Sequence, residues 1–347
     1  MPLALAVALV LALVGPGSAL AAEPADDGGP AAHLPANIRR VTWFGELPDW
    51  SHDGAKLLFL SKTFGDAMEI DLETGAIRNL TAGFPHHGYV RAMYLANGDI
   101  LLSGPEQYDP RHPDDARRNS MLYVLGKGLT APPSALGVRC NEGPAVSRKR
   151  LHIAWTEWSA SSRDQPPARS EMFEADIVYD DGRPRLANRR SIIDNGALPF
   201  PSTLETQSFR PPEEKELTFS AYDPVGNPAD ACIVDLATRR VTNLTHSPDV
   251  YEEPEGIFPD GRSTLIESDR QNRQGPGRID IWRLALDGSG RSERLTRFSD
   301  HPGYKASNPV VSDDGRRFAF QMGRAGEAAG VGHGLFVYSF EGVGADK

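Results

Sequence analysis

The sequence predicts an all-β fold, a six-bladed β-propeller of four-stranded blades closed by an N-terminal strand. Three observations predict it. A turn bearing Asp-Gly recurs ahead of an apolar run of strand length. A Leu-Thr pair recurs at the end of the same unit. The units repeat at roughly forty residues, a spacing typical of propeller blades. With 34 Gly and 28 Pro against only 6 Met, the composition favours turns and short strands over a helical bundle.

The first unit sets the pattern. Pro48-Asp49-Trp50-Ser51-His52-Asp53-Gly54 leads into Leu57-Leu58-Phe59-Leu60-Ser61, an apolar run. Met68-Glu69-Ile70-Asp71-Leu72 follows with period two, Glu73-Thr74-Gly75 turns, and Ile77-Arg78-Asn79-Leu80-Thr81 closes the unit. This reads as four short strands joined by turn chemistry. Gly serves the Asp-Gly turn because it accepts the positive φ needed there. Phe258-Pro259-Asp260-Gly261 opens a similar unit that ends at Arg294-Leu295-Thr296, and Asn308 to Gly315 opens the last. The middle units have drifted. Lys149-Arg150 stand where Asp-Gly is expected in the third unit, and Glu213-Glu214 in the fourth.

A lone four-stranded blade cannot cover both of its apolar faces, whereas blades packed around an axis cover one another. The last unit lacks its own closing Leu-Thr strand. Ile38 to Trp43 precedes the first unit and is expected to supply it, closing the ring and removing an exposed edge. The expected organisation is a signal peptide over 1–21, a flexible leader over 22–36, the propeller over 37–342 and a tail over 343–347. The N-terminal reading rests on an apolar run to Val14, a Gly-Pro-Gly break and the Ala19-Leu20-Ala21 cleavage pattern. It implies a periplasmic or secreted protein released near Ala21. The two cysteines, Cys140 and Cys232, read as small buried hydrophobes. The formal net charge of -10 opposes nucleic-acid binding. No later stretch is long and apolar enough for a membrane span. The expected partner is an extracytoplasmic protein or a glycan, and the expected state a monomer.

The Trp-Ser-x-Asp-Gly and Leu-Thr elements resemble the TolB-type repeat, whose consensus is Trp-Ser-Pro-Asp-Gly, a strand and a closing Leu-Thr. The resemblance covers nearly all of the chain beyond the leader and implies a propeller. Relatives of this kind include TolB, propeller domains of prolyl oligopeptidase-like enzymes and oligogalacturonate lyase. Neither TolB's extra α/β domain nor a hydrolase domain is expected beside the propeller, and no Gly-x-Ser-x-Gly nucleophile elbow is present. The lyase resemblance implies a metal held by several His, but no His-x-His pair appears here. A divalent cation, Ca or Mn, is therefore a subsidiary expectation resting on carboxylates, which suit hard cations.

Propeller ligands meet one mouth of the central channel, and the residues just before each innermost strand are expected to face it. These are Glu46 and Asp49; His86, His87, Tyr89 and Arg91; Asn141 and Glu142; Glu205 and Gln207; Tyr251, Glu252, Glu253 and Glu255; and His301, Tyr304, Lys305 and Asn308. Two functions follow. A binding module would engage its ligand through Arg91, Asn141, Gln207, Glu252, Tyr304 and Asn308. A carbohydrate-active lyase or hydrolase would take Glu142, Glu205, Glu253 or Glu255 as acid–base carboxylates, with Lys305, His87 or Tyr89 as bases. Trp158, if exposed, would stack a sugar ring. The Asn-Leu-Thr triplets at Asn79 and Asn243 read as blade-closing strands rather than glycosylation sites, and the glycine-rich Gly330 to Gly334 lies between strand signals, unlike a phosphate loop.

Overall fold

Alternating apolar side chains and frequent Gly turns produce short antiparallel strands, grouped in six four-stranded sheets. The computed structural model describes residues 28–141, 143–159, 169–224, 228–327 and 330–340. The innermost strands of blades 1 to 6 are Glu46–Trp50, Arg91–Tyr94, Ala145–Val146, Thr203–Phe209, Glu252–Ile257 and Tyr304–Val311. In blades 1 to 5 the next three strands in sequence follow outward. Blade 6 takes Arg317–Arg324 and Leu335–Ser339 from the C-terminal end and Ile38–Arg40 from the N-terminal end. The closing strand pairs antiparallel to its neighbour, with Ile38 opposite Tyr338 and Arg40 opposite Phe336. The ring is thus stitched by strands nearly a chain length apart.

The core is divided among the blade interfaces. Six clusters of buried apolar residues each join two successive blades. Between blades 6 and 1, Ala319, Leu335 and Val337 meet Trp50, Leu57 and Phe59. Between blades 5 and 6 the packing is aromatic, with Phe298 edge-on to Phe320 and Phe336. Each buried Leu or Phe contributes about 1.5–3 kcal/mol on removal from water, so these interfaces hold the ring. Ala31 and Leu34, beside the 3-10 turn Pro30–Ala32 in the expected leader, pack against the cluster of blades 5 and 6. The expected signal peptide, 1–21, and tail, 343–347, lie outside the described residues.

The Leu-Thr signature has a specific job. Thr81, Thr245 and Thr296 accept hydrogen bonds from the backbone N–H of Ala67, Ala231 and Ile281. Each threonine hydroxyl then donates to Asp66, Asp230 or Asp280. The adjacent Leu80, Leu244 and Leu295 donate their N–H to the carbonyls of Ala67, Ala231 and Ile281. One Asp at the head of the third strand thus clamps the outermost strand through the threonine. Asn79 and Asn243 end those outer strands, and their side-chain oxygens accept from the turn that follows.

Blade 3 departs most from the repeat. Its two outer strands, Ser170–Asp180 and Arg183–Asp194, are the longest in the chain's described residues. The glycine-rich segment packs backbone to backbone against the start of blade 1. A Cβ on Gly332 would stand 2.1 Å from the Gly45 carbonyl oxygen, and one on Gly334 would stand 2.1 Å from that of Thr42. Its glycines therefore serve close packing. Cys140 and Cys232 are both buried, in different blade interfaces.

Candidate functional site

The innermost strands surround a polar chamber of about 800 Å³ at one mouth of the channel. All six blades contribute to its lining. Blade 1 supplies Glu46, and blade 2 supplies Arg91 together with Arg117 and Arg118 of the short helix Pro113–Arg118. Gly143 stands just ahead of blade 3's first strand, Trp158 ends its second, and Glu205 and Tyr222 come from blade 4. Blade 5 supplies Glu253, Glu255 and Glu267, with Tyr251 just ahead of its first strand. Lys305, Ser307, Asn308, Gln321 and Arg324 come from blade 6.

A network of hydroxyls and carboxylates organises blades 4 and 5. The Tyr222 hydroxyl lies 2.6 Å from Glu205 Oε2 and 2.5 Å from Glu253 Oε1, so one phenol sits between two carboxyl groups. Tyr251 donates to the other oxygen of Glu253, and Gln207 Nε2 donates to Glu253 Oε1 at 3.0 Å. The Gly143 N–H donates to Glu205 at 3.1 Å, reaching in from blade 3. Burial, then the neighbouring carboxylates, pushes both phenols well above their ordinary pKa. Glu267 lies deeper. Burial, then Glu253 and Glu255, raises its carboxyl well above the usual range, against the opposing pull of Lys305 and the Asn308 N–H. Glu46 is also raised, first by burial, and is held back by the Thr63 hydroxyl and by Arg117, Arg91 and Lys305.

Arg148 crosses the axis beneath this chamber. It leaves the turn after the innermost strand of blade 3 and reaches blade 6 opposite, where Nε donates to Asp313 Oδ1 at 2.8 Å. Its other nitrogens reach blade 1, at 2.8 Å from the Trp50 carbonyl and 3.4–3.5 Å from the Asp49 carboxylate. His52 completes the latch. Its Nδ1 meets Asp313 Oδ2 at 2.9 Å and its Nε2 meets the Leu95 carbonyl at 3.0 Å. His52, Arg148 and Asp313 each follow the serine of their repeat's first turn: Ser51, Ser147 and Ser312. At the position just before Asp-Gly, blade 3 thus carries a cation where two other blades present His and Asp. A smaller cavity of about 270 Å³ adjoins the latch and is lined by Asp49, Arg148, Gln207, Phe209, Glu255 and Asp313 among others.

The expected site residues divide by location. Glu205, Glu253, Glu255, Lys305, Arg91 and Asn308 meet in the chamber. All six lie within the innermost strands rather than just ahead of them, which corrects the expected placement. Gln207 lies beneath, between Glu253 and Ser220, and lines the smaller cavity. Glu252 points the other way, because neighbours along a strand alternate, and is buried against Arg270. Tyr304 is buried in the core of blades 5 and 6 and accepts from Arg324 at 2.7 Å. Tyr89 is buried in the core of blades 1 and 2, stacked by His86, and His87 is exposed away from the chamber. Asn141 bridges the Arg118 carbonyl and the Trp158 N–H, a structural position. Glu142 lies outside the described residues. Arg117, Arg118, Tyr222, Glu267, Ser307, Gln321 and Arg324 were not legible as site residues. They come from second strands, from a helix insertion or from between selected positions, and no local motif marks them.

Among the described residues, no group of three or more His, Cys, Asp or Glu is arranged to hold a metal ion. The carboxylates of blades 4 and 5 instead accept from phenols, amides and backbone N–H groups. Likewise, no described helix is long and apolar enough to cross a membrane.

No protein family matches the chain, and no curated protein matches it in sequence. Among solved structures it is similar to an oligogalacturonate lyase from Vibrio parahaemolyticus, with a TM-score of 0.50 and 13% identity, over 85% of this chain and 80% of that one. It is similar to an acylaminoacyl peptidase at a TM-score of 0.50 and 10% identity, over 86% of this chain and 44% of that one. A putative TolB from Agrobacterium tumefaciens is 17% identical over 87% of this chain and 94% of that one, with a TM-score of 0.37. The two likenesses at 0.50 bear on fold alone, and they agree with the propeller seen in the strand order.

Proposed function

We propose that the protein is an extracytoplasmic binding module that takes a segment of a protein or a glycan into its central chamber. One observation carries the reading: six blades line a polar cup, and Arg148 spans the channel beneath it. A pocket of this size suits a small molecule or the end of a longer chain. Trp158, half-buried at the chamber wall with Arg118 5.6 Å from its ring, offers an aromatic face to a sugar or side chain. The expected signal peptide over 1–21 supports export, and N-terminal sequencing of the mature protein is expected to find a start just after Ala21.

The test is a thermal-shift screen of the intact protein against oligosaccharides and peptides. A ligand present at 100 times its Kd raises stability by about 2.7 kcal/mol. A hit is expected to lose at least tenfold in affinity in Trp158→Ala. A blank screen, or hits indifferent to Trp158→Ala and Glu253→Gln, overturns the reading.

A second reading is a carbohydrate-active enzyme. It is favoured by one phenol set between Glu205 and Glu253, with Glu267, whose carboxyl pKa burial raises, nearby. Carboxyl groups held in environments this different can divide acid and base roles between them. Incubation with acidic polysaccharides, followed by ultraviolet absorbance for unsaturated products and by reducing-end release, tests it. No product from any substrate retires it.

A further inference from the structure

Blade 6 turns a set of hydrogen-bond donors into the chamber. Lys305 and Ser307 lie two apart on its innermost strand and therefore share a face. On the next strand Gly323 stands opposite Lys305 and Gln321 opposite Ser307, and all four residues line the chamber. A Cβ on Gly323 would stand 3.0 Å from Lys305 Cε, so the bare glycine lets the lysine stem lie across it. Lys305 Nζ donates at 3.1 Å to the Pro276 carbonyl, which leaves its remaining hydrogens unused. Among the described residues no carboxylate oxygen lies within 4.0 Å of it, and Glu46 and Glu267 feel its charge only from farther away. Gln321 Oε1 accepts from the Leu47 N–H at 2.5 Å. That bond fixes the amide and leaves its Nε2 hydrogens without a described partner.

A second observation points to an occupant. Ser307 is only 2% exposed, lines the chamber beside Lys305 and Gln321, and its buried Oγ has no hydrogen-bond partner. A buried hydroxyl is costly to leave unpaired, and a ligand oxygen would satisfy it.

We propose that Lys305, Ser307 and Gln321 form a carboxylate subsite that receives the free C-terminus of a peptide. The inference rests on the binding-module reading and names which end of which chain enters. A carboxylate only accepts, and it offers about four lone-pair sites against about two on a neutral carbonyl, so it can take hydrogens from all three side chains. Its charge makes the bond to the ammonium stronger than a neutral one. One ammonium balances one negative charge. Blade 5 stands next to blade 6 and brings Glu253, Glu255 and Glu267 to the same chamber, the last accepting from the Asn308 N–H. A phosphate or a run of uronic acids would set further negative charge against those carboxylates. An otherwise neutral peptide carries a single one, at its end. Arg148 crosses the channel beneath, so the chamber admits a chain end and not a through-going segment. An amidated end would lose the charge and turn an N–H donor toward three donors.

Affinity selection with the intact protein tests this. The probes are N-acetylated hexapeptides of randomised uncharged sequence, as free acids and as C-terminal amides, and a glucuronic acid–glucose disaccharide. Retained species are identified by mass spectrometry, and the best free acid is titrated calorimetrically beside its amide. The acid is expected to bind about tenfold or more tightly than the amide. Lys305→Gln should weaken the acid by about tenfold or more and bring acid and amide level. Ser307→Ala should weaken the acid by about threefold or more, yet keep its denaturant midpoint at or above that of wild type, because the hydroxyl it removes has no partner in the free protein. That combination separates a ligand contact from a folding defect. Amides that bind as well as acids, or a Ser307→Ala protein that binds like wild type, overturn the proposal while leaving the binding module standing. Retention of the sugar acid with no peptide does the same. If no hexapeptide is retained although the wider thermal-shift screen yields hits, the subsite fails alone; silence in both overturns both.

Discussion

Replacing Arg148 with Met removes a side chain that ties blade 3 to blades 6 and 1 across the axis. Three interactions disappear together. The Asp313 arm is short, 2.8 Å, but Asp313 is 31% exposed, so that arm counts as a surface pair worth about 0–1 kcal/mol. The bond to the Trp50 carbonyl contributes about 1 kcal/mol. The larger effect falls on Asp49, whose side chain is 4% exposed. Breaking a fully buried pair costs about 3–5 kcal/mol because the remaining charge is stranded. Asp49 keeps the Tyr94 N–H at 2.7 Å and lies 3.4 Å or more from Arg148, so the low end applies. Together the expected loss is about 4–5 kcal/mol, or roughly 5–10 °C in Tm for a domain of this size.

Chemical denaturation of Arg148→Met at two pH values tests this and its cause. Burial already raises the Asp49 pKa, with Arg148 the leading opposing influence. Without Arg148 the folded pKa rises further. A carboxyl whose folded pKa exceeds its unfolded one, about 3.9, loses stability as pH climbs from the unfolded toward the folded value. The variant is therefore expected to suffer less at pH 5 than at pH 8. In an Asp49→Asn background the same substitution should cost about half as much, because no charge is stranded. A loss under about 0.5 kcal/mol, or one indifferent to pH and to Asp49→Asn, refutes the reasoning.

Three further outcomes are expected. Glu267→Gln removes a carboxyl whose folded pKa is raised chiefly by burial; since wild-type stability falls as pH rises through that window, the variant should gain on wild type from pH 5 to pH 8, by denaturant midpoint. His52 has both ring nitrogens facing acceptors, and its hydrogen bond to Asp313 is the chief cause of its raised pKa. Its stabilisation is full below about pH 6.5 and lost as pH rises through the folded value, so His52→Gln should flatten a Tm profile between pH 6 and pH 8. At Gly261, φ is +67° and a Cβ would stand 2.0 Å from the Pro211 carbonyl oxygen, so Gly261→Ala is expected to cost more than about 1–3 kcal/mol by equilibrium unfolding.

The repeat was legible because each blade must solve the same local problem. Asp53-Gly54, Asp260-Gly261 and Asp314-Gly315 set turns, and the apolar runs after them supply strands buried on both faces. The closing strand was legible because Leu335–Ser339 had no outer partner in its own unit, while Ile38–Arg40 had no blade ahead of it. These are short-range patterns and one unmet edge, and a linear chain displays both.

The site was legible only in part, for a reason of the same kind. Glu205, Glu253, Glu255 and Lys305 lie on innermost strands, which the repeat locates. Tyr222, Glu267 and Gln321 lie on second strands, where alternation places them among residues that simply pack, and Arg117 and Arg118 come from an insertion. The ion pair of Arg91 and Glu255 arises only when blade 5 is set across from blade 2. The latch of His52, Arg148 and Asp313 likewise needs three turns, up to 261 residues apart, to converge on one axis. Sequence by itself determined the modules and their closure, because periodic burial is written locally. Tertiary structure alone decided which side chains face one another across the channel, because a ring brings together residues with no spacing in common.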